Sequence, residues 1–219
     1  MSGEAVLLFT KPARPGRVKT RLVGELTPEE AARLHAAFLG DLGERLARGR
    51  FHLEIAWALE DGEEIPAGPL PGSRQVGADL GARLFHALSG AGRRFDAVAA
   101  VGSDHPELGV ETVEDAFVKL GAGAEVVLGP VPDGGYYLIG LARHAVRREL
   151  FEGIPWSTAT VLEDTLARAR RLGLAVELLA EGHDVDRPDD LAALARRLSA
   201  SGDCPRTRGL LASWGRLRS

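Results

Sequence analysis

Apolar residues in this chain fall into short blocks that switch between two periods. Ala5 to Thr10 is apolar on both faces, as a strand in the middle of a parallel sheet must be. From Thr27 onward the period lengthens. Ala31, Leu34, Phe38, Leu42 and Leu46 recur at three- and four-residue spacing, which predicts a helix with one buried face running to about Arg48. Its start is written in Thr27-Pro28-Glu29-Glu30: a cap residue, a first-turn proline and an acid placed to reach back in a capping box. Alternation returns at Phe51 to Leu59, with Leu53, Ile55 and Trp57 on one face, and Glu60 to Gly72, rich in Pro, Gly and acid, predicts a loop. Asp79 is placed to cap a helix carrying Leu80, Leu84, Phe85 and Leu88. Further strands are predicted at Phe95 to Val101, Glu125 to Leu128, Tyr136 to Leu141 and Ala175 to Ala180. Helices are predicted at Val110 to Leu120, His144 to Phe151, Trp156-Ser157-Thr158 to Leu172, and Pro188 to about Leu198. Strands alternating with helices in this way imply an α/β protein, a three-layer α/β/α arrangement on a mostly parallel twisted sheet. Residues 1–199 read as a single domain, and residues 200–219, basic and carrying Trp214, as a C-terminal extension that is a short helix or a mobile tail.

Composition narrows the class. Of 219 residues 45% are hydrophobic and 26% charged, the balance of a soluble globular protein. No apolar run reaches membrane-spanning length and the N-terminus lacks signal-peptide order, so the expected location is the cytoplasm. The lone Cys204 has no partner for a disulfide or a zinc site and reads as a bystander. A formal net charge of -4 argues against general nucleic-acid binding.

Against that acidic background stands one basic stretch, Phe9 to Leu22. Lys11, Arg14, Arg17, Lys19 and Arg21 occur there with no acid among them, and Pro12, Pro15 and Gly16 restrict the backbone. A loop this basic calls for an anion, and phosphate is the usual one. Lys19 supplies a point charge and Arg21 a bidentate fork, while Lys11, Arg14 and Arg17 add background field. No Gly-Lys-Ser/Thr follows, so this is not a nucleotide-triphosphatase P-loop. Asp104 and Asp186 each end an apparent strand, and two acids brought together there suit a hard divalent cation such as Mg2+ or Mn2+, with Asp184 replacing or assisting Asp186. Each also reads as an ordinary turn or cap residue. His105 and His183 lack zinc spacing and read as structural. Gly129 to Gly135, with Asp133-Gly134-Gly135, is good hairpin chemistry; with Tyr136 and Tyr137 it would also make a floor for a polar small molecule. Trp156-Ser157-Thr158 opens a helix, where its hydroxyls would cap the first turn or its N-terminus would face an anion.

Six motifs in order carry a resemblance. They are Lys11-Pro12 to Lys19-Thr20-Arg21-Leu22, Asp79-Leu80-Gly81-x-Arg83, Gly102-Ser103-Asp104-x-Pro106, Asp133-Gly134-Gly135-Tyr136, Trp156-Ser157-Thr158, and Asp184-Val185-Asp186-x-Pro188-x-Asp190-Leu191. The set resembles the nucleotide-diphospho-sugar transferase superfamily with its GT-A-type fold, and within it the bacterial radical-SAM- and selenodomain-associated transferases often described as glycosyltransferases. More distantly it is similar to phospholactate guanylyltransferase, with Tyr136-Tyr137 standing where those enzymes have Thr-Asn. The resemblance implies a metal on Asp104 and Asp186, a nucleotide held by Lys11, Arg14, Gly16, Arg17, Lys19 and Arg21, and Gln75, Asp79, Gly81 and Arg83 near its base or sugar. It implies a second substrate, a small-molecule acceptor, along Asp133, Gly134, Gly135, Tyr136, Trp156, Ser157 and Thr158, with Lys19, Arg21 and Asp133 taking part in catalysis. The donor would be a nucleoside triphosphate or a nucleotide sugar. A nucleotide-binding module without turnover, or an accessory subunit, is the alternative reading.

Overall fold

The computed structural model describes residues 3–217. Its centre is a seven-stranded sheet in the order β3-β2-β1-β4-β6-β5-β7. The strands are β1 Glu4–Thr10, β2 His52–Trp57, β3 Gly72–Arg74, β4 Ala97–Gly102, β5 Val126–Pro130, β6 Tyr136–Ala142 and β7 Val176–Leu178. The helices are α1 Pro28–Leu46, α2 Leu80–Gly92, α3 Val110–Gly121, α4 Val161–Arg171, α5 Pro188–Ala200 and α6 Pro205–Ser213. Only β6 runs against the others, because the turn between β5 and β6 makes a hairpin whereas the other connections cross over through helices or long loops. None of the described helices is long and apolar enough to cross a membrane.

Successive β1 side chains feed two different cores. Val6 and Leu8 join Leu42 and Leu46 of α1 and Val113 and Phe117 of α3 on one face. Ala5 and Leu7 join Leu84 and Leu88 of α2 and Ala169 of α4 on the other. That double burial is why β1 shows no polar alternation. The capping box forms as its sequence implies: Glu30 N donates to Thr27 Oγ1 (3.1 Å) and Thr27 N to Glu30 Oε2 (2.8 Å).

Three stretches differ from the sequence expectation. Residues 144–151 are not one helix but two single 3-10 turns, Arg143–Ala145 and Arg148–Leu150, pinned by buried Ala145, Leu150 and Phe151. Gly72–Arg74, expected to lie at or beyond a loop end, is an edge strand, paired with Ile55 to Trp57 of β2. Nothing in Gly-Ser-Arg favours a strand locally; the free edge of β2 supplies the pairing. Trp156-Ser157-Thr158 does not open α4, which begins at Val161 after Thr160, with no side-chain cap.

The end of the chain packs as a third cluster. Leu211 of α6 and Leu194 and Leu198 of α5 bury against Leu34 and Phe38 of α1. The N-terminus of α6 is capped from another helix, for buried Asp41 of α1 accepts from Arg206 N (2.9 Å) and Thr207 N (2.8 Å). A carboxylate there meets orphan amides and the positive end of the helix dipole together. Asp41→Ala leaves those amides unpaired, and we expect a loss of about 1–3 kcal/mol in chemical denaturation, with faster amide exchange in α6. Unchanged stability would show that α6 docks through its apolar side alone.

Candidate functional site

The site is built where strands end and the following chain folds back over the sheet. Between β1 and α1, Val18 and Leu22 are buried and fasten the basic loop to the body of the protein. Lys19, between them, takes the left-handed conformation (φ 48°). A lysine gains nothing locally from that backbone, so the surroundings must over-determine it. Its Nζ lies 5.4 Å from the Phe38 ring centroid. There it donates to Val185 O (2.7 Å) and Asp186 Oδ1 (3.2 Å) and pairs with Asp104 Oδ1. The Lys19 side chain is only 3% exposed, against 42% for Asp104 and 33% for Asp186. A buried cation is tolerated because its donors meet acceptors on several sides. The backbone repeats the link, since Val185 N donates to Asp104 O (2.9 Å).

Other acids and cations gather around this centre. Arg21 donates to Asp186 Oδ2 (3.2 Å) from an exposed position. Asp190 accepts from Asp186 N (3.1 Å) and Arg187 N (2.7 Å), which ties the start of α5 to the site. A cleft beside them is lined by Arg21, Asp133, His183, Asp184, Asp186 and Arg187, among others. Burial is the largest single influence on Asp104 and opposes its charged form. The Lys19 charge and hydrogen bond, joined by weaker contributions from neighbouring basic groups, together hold the carboxyl below the usual range. Asp184 goes the other way: burial first, then the charges of Asp104 and Asp186, push it up to about 7. Among the described residues, no group of three or more His, Cys, Asp or Glu side chains stands preassembled around one metal position.

The remaining motif residues fall into distinct roles. Arg14 pairs with Glu63, and Arg17 with Glu60 (3.3 Å), so the acidic loop before β3 already neutralises part of the basic one; Lys11 and Gly16 are exposed. Gln75 seals the strand ends, its Nε2 donating to Ala56 O (2.8 Å) and Thr10 O (3.3 Å). Asp79 caps α2 through Ala82 N (2.8 Å), and Arg83 Nε donates to Gly77 O (3.1 Å). Gly81 faces Trp156, where a Cβ would come 2.6 Å from the indole nitrogen. Gly134 (φ 86°) presses on the Ala159 backbone, and its carbonyl accepts from Leu162 N (2.8 Å). Three motifs far apart in sequence thus form one continuous wall.

Asp133 is exposed at the cleft and also accepts from Gly135 N (3.1 Å) in its own turn. The two tyrosines do not make a shared floor, because neighbours on a strand point to opposite faces. Tyr136 packs with the α2–α4 side, where burial pushes its hydroxyl pKa up. Tyr137 packs on the other side, edge-on to His105 at 4.9 Å, and donates to Ala180 O (3.1 Å). Burial, followed by His183, Arg197 and Arg45, lowers His105 to about 4, so this ring is neutral packing. Ser157 (φ 67°) and Thr158 stay in the loop, Thr158 Oγ1 donating to Pro155 O (2.7 Å) instead of capping α4. Cys204 is buried, donates to Pro106 O (3.1 Å) and has its thiol pKa raised by burial, which suits a structural residue.

Sequence reading passed over Arg187, which lines the cleft, and Thr10, His35 and Ser103, which lie beneath the site. For His35 one signal existed, a polar residue inside the apolar stripe of α1 between Leu34 and Phe38. Arg187 carried none beyond its place between Asp186 and Pro188.

Asp184 makes the acid cluster measurable. Because folding raises this carboxyl from 3.8 to about 7, its contribution to stability is complete below about 3.8 and is lost as pH rises through about 7. Thermal midpoints of Asp184→Asn should therefore fall less than those of the unmodified protein between pH 4 and pH 8. Parallel profiles would mean that the three acids are not coupled.

The fold has counterparts among known proteins. Residues 52–158 match a family model described as an uncharacterized protein conserved in bacteria (DUF2064). A candidate nucleotide-diphospho-sugar transferase from Desulfovibrio desulfuricans G20 superposes with a TM-score of 0.90 at 34% identity, covering 97% of this chain and 95% of that one. A cytidylyltransferase from Leptospira borgpetersenii gives a TM-score of 0.59 at 13% identity, with 97% and 95% covered. A CMP:2-keto-3-deoxy-manno-octonic acid synthetase complexed with CTP gives 0.55 at 12%, with 88% and 97% covered. At such identities the last two share the fold alone. No curated protein matches in sequence. With a third of its residues identical to the Desulfovibrio protein along nearly the whole of both chains, this chain belongs to the same family as that protein, within the nucleotide-diphospho-sugar transferase-like fold, and its residues 52–158 carry the DUF2064 match.

Proposed function

We propose that this protein transfers a nucleotidyl group from a nucleoside triphosphate to a small-molecule acceptor. The observation that carries this reading is Lys19, buried at the strand ends and shared by Asp104 and Asp186, with Arg21 beside it. An anionic polyphosphate is the ligand that such a loop and acid pair serve together. Glycosyl transfer from a nucleotide sugar is the second reading, favoured by the name that the Desulfovibrio relative bears.

A divalent metal fits the donor set. Asp104, Asp184 and Asp186 offer only hard carboxylate oxygens, and burial followed by repulsion from Asp104 and Asp186 raises Asp184 even with Lys19 present. Magnesium commonly takes one or two carboxylates and completes its shell with substrate phosphates, so a preassembled triad is not required. When bound, the ion would neutralise phosphate charge at Asp104 and Asp186. Arg21 binds the phosphate chain. Lys19, whose N–H groups are already taken by Asp104, Asp186 and Val185 O, holds the two carboxylates in place and adds positive field where charge builds on the leaving group. Asp133, exposed across the cleft, orients the acceptor. An acceptor oxygen forms a bond to the α-phosphorus while the bond from that phosphorus to the bridging oxygen breaks, and pyrophosphate departs. The acceptor proton passes to solvent or to a carboxylate of the cleft.

Phosphorus NMR with magnesium, nucleoside triphosphates, nucleotide sugars and a panel of acceptors tests the proposal. Pyrophosphate release is the expected outcome; nucleoside diphosphate release from a nucleotide sugar would select glycosyl transfer, and neither product would leave a binding module. Asp104→Asn should lower turnover by about 100-fold or more while changing nucleotide affinity only severalfold. Full activity in that variant would remove Asp104 from the mechanism.

A further inference from the structure

Behind the site lies a buried polar chain that no step above uses. His35, on α1, is 4% exposed, and Thr10 and Ser103 are equally enclosed at 5% and 4%. His35 Nε2 lies 3.1 Å from Lys11 O and 3.1 Å from Thr10 Oγ1, and Thr10 Oγ1 donates to Ser103 Oγ at 3.0 Å. Lys11 O can only accept, so Nε2 carries the proton and is shared between the carbonyl and the hydroxyl. Burial, more than any neighbouring charge, lowers the His35 pKa, which leaves a neutral ring with this single N–H. Its Nδ1 is buried with no hydrogen-bond partner among the described residues. An apolar side chain would fill this part of the stripe without that cost. The polar choice is explained by what the ring joins: Lys11 begins the basic loop, and Ser103 immediately precedes Asp104.

We propose that His35 is a positioning residue, which holds the first residue of the basic loop against the Ser103-Asp104 turn so that Lys19 meets Asp104. The inference rests on the phosphate-binding reading of the loop and deepens it. One end of the loop is fixed by Val18 and Leu22, both buried. The other end has no such apolar anchor, since Lys11 and Ala13 are exposed. Thr10 itself is immobilised, its carbonyl accepting from Ala58 N (2.8 Å) and Gln75 Nε2 (3.3 Å). His35 carries that rigidity one residue further.

Two measurements on the full-length protein decide it. The first is amide exchange of residues 11–22; the second is affinity for magnesium tripolyphosphate by calorimetry. His35→Leu should speed exchange across the loop and weaken tripolyphosphate binding about tenfold, the scale of one net hydrogen bond. His35→Gln, which restores a side-chain N–H, should recover affinity to within about threefold on the same scale. Thr10→Val should behave like His35→Leu, and serves if that variant does not fold. Thr27→Ala, which weakens the same helix at its exposed cap, should leave affinity unchanged. Equal weakening in Thr27→Ala, or no recovery in His35→Gln, overturns the positioning role in favour of simple stability. If the unmodified protein does not bind tripolyphosphate, the proposed function fails, and loop exchange alone then decides: unaltered exchange in His35→Leu overturns this inference, and faster exchange supports it.

Discussion

A lysine ammonium with almost no solvent contact holds the carboxyl edge of this sheet together. Lys19 is 3% exposed and its acceptors come from two distant stretches, Asp104 after β4 and Val185-Asp186 before α5. Taking a cation out of water costs several kcal/mol unless donors and charge are met. The fold meets them by bringing three loops to one point. The left-handed backbone at Lys19, the buried Val18 and Leu22 beside it, and the Val185 to Asp104 backbone bond all follow from that requirement.

The same centre explains the electrostatics around it. Lys19 helps to offset the burial of Asp104, whereas Asp184, raised first by its own burial and then by the charges of Asp104 and Asp186, reaches about 7. The cleft thus has acid at its centre and Arg21 and Arg187 at its rim. Arg14 and Arg17, by contrast, are partly satisfied by Glu63 and Glu60, so the five cations of the loop are not equivalent. Charge counting along a sequence treats them alike; burial and pairing separate them.

Around this core the glycines and hydroxyls of the motifs act mainly on one another. Gly81 admits Trp156, Gly134 admits Ala159, and the Gly134 carbonyl holds the first turn of α4. His35, Thr10 and Ser103 make a second layer under the loop. Of the motif residues only Arg21, Asp133, Asp184, Asp186 and Asp190 line the cleft, a smaller set than the motifs contain.

Much of the architecture was legible in the chain because it rests on short-range rules. Periodicity exposed β1 and α1, Thr27 and Glu30 announced the helix start, Asp79 its counterpart in α2, and the Asp-Gly-Gly turn the one antiparallel hairpin. A basic loop and the acids Asp104 and Asp186 were visible as types, but only Asp104 follows closely on a strand; β7 ends at Leu178, and Asp186 lies beyond it, just before α5. What the sequence could not decide was every feature that depends on a partner distant in the chain. Gly72–Arg74 is a strand only because β2 has a free edge, and Asp41 caps a helix that starts more than a hundred residues later. The opposite faces of Tyr136 and Tyr137 and the buried company of His35 were likewise settled by packing. Local propensity records the preference of a residue for its own backbone; burial, charge balance and hydrogen-bond satisfaction are properties of neighbours that only the folded chain brings together.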